Sequence, residues 1–149
     1  MSRRQALADA NRARDIRRVQ EQAALQALQR QQRVVAEARQ DLDREIETHA
    51  GNEAEWAAAL DGPSVDVGVL GLWRMTTEMS RDQVRAAEQT VAAEDEAATA
   101  HRQSWAARLQ AADAVQSVAS AAARQVRRAT EERALLTADD ALRFRRPRS

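Results

Sequence analysis

No cysteine occurs in the 149 residues of this chain, which excludes disulfides and thiolate metal sites. Tyrosine and lysine are missing too, and one Phe and three Trp are the only aromatic residues, with all 23 basic residues being Arg. Strand-forming residues are therefore scarce. No apolar run approaches the roughly 18 to 20 residues of a membrane span, and the opening MSRRQALADANRARD lacks the apolar stretch of a secretory signal. The expectation is a cytoplasmic protein.

Ala supplies about a quarter of the residues, and Arg, Gln, Glu and Leu most of the remainder, the composition of long helices and coiled coils. Large apolar side chains are too few for a thick interior, so a thin seam between two helices fits better. Pro and Gly number only two and four, and three of the Gly with one Pro fall between Asp61 and Gly71. The chain thus reads as all-α, a single long antiparallel two-helix coiled-coil hairpin. Its helices are expected over about residues 3–60 and 72–143, with a loop over about 61–71. At about 1.5 Å per residue, each arm would run roughly 85 to 105 Å.

Heptad spacing supports the pairing of these arms. Leu7, Leu28, Val35, Leu42, His49 and Trp56 share one position, with Leu25, Ile46 and Leu60 at its companion. In the second arm Val84, Val91, Ala98, Trp105, Ala112, Ala119 and Val126 recur every seven residues, joined by Val115, Ala122, Ala129 and Leu136. Folding the chain so that Gly62 faces Gly71 sets Leu60 against Trp73, Leu42 against Val91, Val35 against Ala98, Leu28 against Trp105 and Leu7 against Val126. One register aligns the large residues of both arms. Arg14, Glu21, Gln32, Arg39 and Glu53 fall at nominal seam positions, and Ile16 with Val19 belong to a shifted frame, so a stutter is expected near residues 16–25. Burial is thin at about 25 cal/mol per Å², and stability should be modest.

The formal charge is zero, yet the charges are sorted. Residues 1–35 hold eight Arg and three acids, residues 36–99 five Arg and fifteen acids, and residues 100–149 ten Arg and five acids, giving plus five, minus ten and plus five. A hairpin would bring both basic stretches to one tip and leave the other acidic. The basic tip gathers Arg3, Arg4, Arg12, Arg14, Arg17 and Arg18 with Arg124, Arg127, Arg128, Arg133, Arg143, Arg145, Arg146 and Arg148. Arg12, Arg14, Arg17, Arg18, Arg124, Arg127, Arg128 and Arg143 are the candidate partner-binding residues. Without interleaved aromatics or a groove-reading motif, an acidic protein socket suits this tip better than nucleic acid.

At the loop end Trp56 and Trp73, with Met75 and Met79, form the richest concentration of large apolar groups. They stand either as a cap closing the hairpin or as an exposed surface for a partner, since Met and Trp both favour adaptable interfaces. Leu28, Val35, Leu42, Val91, Trp105 and Val126 are assigned to the seam.

Catalytic chemistry finds no constellation to work with. His49 has Glu45 and Glu53 one turn to either side, but a zinc or di-iron bundle needs several convergent His and carboxylates. The simpler reading is a seam His hydrogen-bonded to a neighbouring Glu, with His101 a tolerated polar seam residue. Asp41, Asp43, Glu45 and Glu47 spread around a helix rather than converge, as do Glu94, Asp95 and Glu96, so they form a solvated face or a docking face for a basic partner. Neither resembles a calcium loop. No phosphate loop or nucleophile arrangement is present, and no metal, cofactor or enzymatic activity is expected.

An Arg-rich helical hairpin of this length, ending in Leu136-Thr137-Ala138-Asp139-Asp140-Ala141-Leu142-Arg143-Phe144-Arg145-Arg146-Pro147, resembles the FliJ/YscO-type stalk proteins of flagellar and injectisome type III export systems. In that family an acidic pair and an aromatic precede a short basic terminus. The resemblance implies a monomeric stalk whose paired termini insert in the hexameric export ATPase, while the other part contacts the export gate or substrate chaperones. It also implies a location at the cytoplasmic face of the inner membrane, reached only through partners. The excess of Ala and Arg and the lack of Tyr and Lys depart from the family pattern. A structural or stator coiled coil and a basic-tip nucleic-acid binder are the alternative classes, the latter marked by steep salt dependence.

Overall fold

The computed structural model describes residues 1–145, so Arg146, Pro147 and Arg148 of the expected basic tip lie outside the described residues. The fold is all-α, with α1 over Arg3–Leu60 and α2 over Val67–Phe144. Each helix starts at a side-chain cap. Ser2 Oγ accepts the Gln5 N–H at 3.2 Å while Gln5 Oε1 accepts the Ser2 N–H at 3.0 Å, a reciprocal capping box at the head of α1. Asp66 Oδ1 accepts the Gly68 N–H at 2.8 Å and caps α2.

That second cap corrects the expected loop. α2 begins at Val67, not near residue 72, so the connection is only residues 61–66 and both Gly68 and Gly71 are helical. Glycine weakens a helix without forbidding it, and the Asp66 cap outweighs the two glycines. α1 stops where Pro63 disfavours helical backbone at the residue before it.

The chain divides into two compact units. The turn unit is Leu25–Gln103, a helical hairpin in which the end of α1 packs antiparallel on the start of α2. Its cross-helix bonds include His49 to Ser80 and Gln31 to Glu94, the α2 number rising as the α1 number falls, and the long Arg39 side chain reaches along the helix to Asp95. Val35 and Ala98 line one cleft, as the heptads predict. The terminal unit is Met1–Ala24 with Ser104–Ser149. Here Glu21 meets Trp105, Gln20 meets Arg108 and Arg18 meets Gln116, again antiparallel.

The seam is thin in both units. Leu28 (5% exposed), Val35, Ala38 and Ala98 are buried in the turn unit, with Leu42 and Val91 half-buried; Ala112 and Ala119 are buried in the terminal unit, with Leu7, Trp105 and Val126 half-buried. Among the described residues no large side chain is fully enclosed. Alanine lets two helix backbones approach closely while burying little area, so van der Waals contact between backbones carries much of the packing.

Three expectations about this seam are corrected. The companion positions on α1 are Ala24, Gln31, Ala38, Glu45, Asn52 and Ala59, one residue earlier than the Ile46 and Leu60 frame, and those two side chains are about half exposed. The same shift frees Gln32, Arg39 and Glu53 from the seam, whereas Arg14 and Glu21 stay at seam positions as expected. Ile16 and Val19 are exposed while Arg14 and Glu21 keep the seven-residue spacing, so burial gives no sign of a stutter. Leu136 is exposed rather than in the seam, because α1 begins at Arg3 beside Val126, Ala129 and Arg133 and has nothing to offer α2 beyond that level.

Leu28→Ala is expected to lower the unfolding free energy by about 2 kcal/mol or more, whereas Ile46→Ala should stay within about 0.5 kcal/mol, by urea denaturation. Gly51 lies inside α1, and a Cβ there would meet nothing within 4 Å. Gly51→Ala should therefore stabilise the protein by about 0.5 to 1 kcal/mol in the same assay.

Candidate interaction surfaces

The structural division matches the electrical one. The sequence of the terminal unit carries fifteen Arg and eight acids, plus seven, while that of the turn unit carries eight Arg and fifteen acids, minus seven.

In the terminal unit the start of α1 lies against α2, so Arg3 and Arg4 share a cleft with Arg133, and Arg3 shares another with Arg128. Glu132 lines the second of these clefts as well. Arg12, Arg17, Arg18, Arg124, Arg127, Arg128 and Arg143 are exposed and Arg14 is half-buried. Arg14 pairs with Asp15 at 2.9 Å, and Arg143 with Asp139, one turn earlier, also at 2.9 Å. Arg18 donates across the helices to Gln116 at 2.7 Å, and Arg17 to Gln20 at 3.2 Å. Among the described residues Arg12, Arg124, Arg127 and Arg128 have no ion-pair partner, which leaves their charge available to an anionic surface. Arg143 belongs to the stretch of α2 past the end of α1, apart from the paired Arg residues.

In the turn unit the Trp and Met cluster separates into two parts. Trp56 and Trp73 are half-buried in the seam and close the hairpin, with Trp56 lining a cleft of about 350 Å³ beside Glu53, Arg74, Thr77, Glu78 and Arg81. Met75 and Met79 face outward, 55% and 57% exposed, with Leu72 beside them. The cap and the exposed surface therefore coexist on opposite sides of α2.

The acidic residues fall where helical geometry spreads them. Glu37, Asp41, Glu45 and Glu94 border a groove of about 530 Å³ over Ala38, Ala86 and Ala87, while Asp43, Glu47 and Glu96 are exposed elsewhere. Asp41 is held by Arg44. Asp95 bonds Arg39 at 3.2 Å. Among the described residues no three His or acidic side chains converge in a way that could hold a metal ion.

Polar groups in the seam are paired across it. Gln31 Nε2 donates to the Glu94 main-chain oxygen at 3.1 Å and also to its carboxylate, and the Trp105 indole N–H donates to Glu21 at 2.8 Å. His49 Nδ1 lies 2.8 Å from Ser80 Oγ, and its Nε2 lies 3.1 Å from Glu53 Oε1. This Ser, His and Glu series has the order of a nucleophile relay, but Ser80 is only 3% exposed and its hydroxyl also lies within donating distance of the Thr77 carbonyl, 2.9 Å away. A hydroxyl so enclosed offers no approach to a substrate carbonyl. The series acts instead as a polar layer that fixes register, and Ser80 and Gln31 are members the heptad pattern did not reveal. Among the described residues no buried side-chain nitrogen or oxygen lacks a partner.

Comparison with protein-family models, with curated proteins and with solved structures finds no match. No helix among the described residues is long and apolar enough to cross a membrane.

Ser80→Ala leaves His49 Nδ1 without its partner inside the seam. The expected cost is about 1 to 3 kcal/mol, measured as a lower denaturation midpoint with helix content unchanged in the native baseline.

Proposed function

We propose that this protein is a non-enzymatic stalk and adaptor of a type III export apparatus, of the FliJ/YscO type. The Arg-rich terminal unit seats in the ring of the hexameric export ATPase. The acidic turn unit, with Met75 and Met79 outward, meets the export gate or a substrate chaperone. The protein works in the cytoplasm at the inner-membrane face, one copy to each ring, and reaches the membrane only through partners.

The observation that carries this reading is the coincidence of charge with structural unit, plus seven where both termini lie and minus seven around the turn. An adaptor needs two chemically different docking regions, and opposite charge is the simplest way to keep each partner off the wrong one. Exposed Arg residues without partners suit a ring lined by acidic groups, and outward methionines suit a partner surface that varies in shape.

The test is affinity capture from the native organism. Wild-type protein should recover a hexameric secretion ATPase. Replacing Arg124, Arg127 and Arg128 by Glu should reduce that recovery about tenfold or more, an energy of at least about 1.4 kcal/mol. Replacing Met75 and Met79 by Glu should spare the ATPase and lose the gate or chaperone. Capture of nucleic acid alone, in amounts that collapse with salt, would overturn the stalk reading.

A further inference from the structure

The two units are held shut by different means. In the turn unit His49, Arg39 and Gln31 each bond to α2, and Leu28, Val35, Ala38 and Ala98 are buried. In the terminal unit the cross-helix bonds come from Arg18, Gln20 and Glu21, all within four residues of one another on α1. Among the described residues no hydrogen bond or ion pair joins residues 3–17 of α1 to α2.

Packing does little to replace those bonds. Over residues 3–17 the large apolar side chains are Leu7, which is half-buried, and Ile16, which is 57% exposed. Arg14 brings a charge to the seam and pairs with Asp15 on its own helix. Of the facing stretch, residues 117–133 of α2, Ala119 alone is buried, and an alanine contributes little apolar area. Regions with few buried apolar contacts open locally at low cost.

Charge then works against the pairing. Residues 3–17 carry five Arg and two acids, and residues 117–133 four Arg and two acids, so net plus three faces net plus two. Arg3 shares one cleft with Arg133 and another with Arg128, and Glu132 is the one acid that lines either. Such repulsion reaches about 30 Å at about 0.01 M salt and about 3 Å at about 1 M. Salt therefore decides how strongly these two helical stretches push apart.

We propose that residues 3–17 and 117–133 form a charge-governed latch, whose two helices part while their Arg residues are unscreened and close when an anionic protein surface lies across them. Carboxylates that bridge Arg residues of both helices supply charge-assisted bonds across this end. Docking of an acidic partner is thereby coupled to closure, and its apparent affinity scales with the fraction of molecules already closed. The identity of that partner rests on the role proposed above for the terminal unit, whereas the opening itself does not.

Amide hydrogen exchange on the purified protein, corrected for intrinsic rates, tests the latch. At about 0.01 M salt residues 7–17 should exchange about tenfold or more faster than residues 28–42, and about 1 M salt should slow them about threefold or more. Poly-glutamate added at low salt should slow them as well, and poly-lysine should not. The double variant Arg3→Glu with Arg4→Glu, and the double variant Arg128→Glu with Arg133→Glu, should each slow exchange at low salt by making the facing charges opposite. Combining all four substitutions restores like charge and should lose that gain. Departure from additivity isolates the repulsion across the seam from effects within either helix, such as acids placed at the start of α1. Residues 7–17 as protected as residues 28–42 at low salt, exchange indifferent to salt or to poly-glutamate, or additive substitutions would each overturn the proposal. None of these measurements involves an export ATPase, so the latch and the stalk reading fail separately.

Discussion

Two helices have only one face each to hide, and here alanine is the commonest residue on that face. Ala38 and Ala98 in the turn unit, and Ala112 and Ala119 in the terminal unit, are among the most deeply buried residues of their helices. An alanine layer buries little apolar area, so the hydrophobic term per layer is small and the backbones must come close to gain dispersion energy instead. Close approach leaves no room for long polar side chains to lie unpaired in the seam. Gln31, His49 and Trp105 each bond to the facing helix, and Arg14, at a seam position, turns to the neighbouring Asp15. Those bonds add modest net stability, but leaving any of them unmade costs a full desolvation penalty. Alanine layers alone would tolerate slippage, and the polar layers are what make one register preferable to its neighbours.

A seam of this kind also explains why the remaining residues face outward with so little constraint. Almost every charged side chain is at the surface, so charge can be distributed without regard to packing. The distribution is nonetheless far from random, since the split of plus seven and minus seven follows the division into units. Crowding Arg3, Arg4, Arg128 and Arg133 at paired helix positions costs stability through repulsion, and nothing in the seam compensates for it. A cost of that sort at the surface is offset when an anionic partner arrives, which is why the charge division carries the functional reading.

Much of this was legible in the sequence because helices have few ways to fail. The stretch from Ser2 to Leu60 contains no Pro, and α1 spans Arg3–Leu60 as the pattern predicts. Heptad positions that hold large residues, such as Leu28 and Val35, sit in the seam. At the companion positions hydrophobicity alone favours Ile46 and Leu60, which are larger than Ala38 and Ala59. Both choices lie on the same side of a helix, three or four residues from the reference position, and only the partner's proximity separates them. Three glycines between Asp61 and Gly71 point to a longer loop, although Asp66 is the residue that decides where α2 begins. The Ser2 and Gln5 capping box was visible as a four-residue signature and would have fixed the start of α1 by itself. The pairing of Ser80 with His49 was beyond any single-helix pattern, since it depends on how the two helices face each other.

The unequal lengths of the helices have the largest consequence for function. A hairpin that maximised its own stability would stop α2 where α1 gives out, or would fill the excess with polar residues. Here α2 continues with Leu135, Leu136, Leu142 and Phe144 exposed, while Leu72, Met75 and Met79 are exposed on the other unit. Neither set contributes to the seam, and both lower solubility unless something covers them. Stability therefore gives no reason for their presence, whereas binding does. In the proposed adaptor role the Arg residues set which partner approaches, and the apolar faces set how long it stays, since charge acts mainly on encounter and buried apolar contact mainly on dissociation.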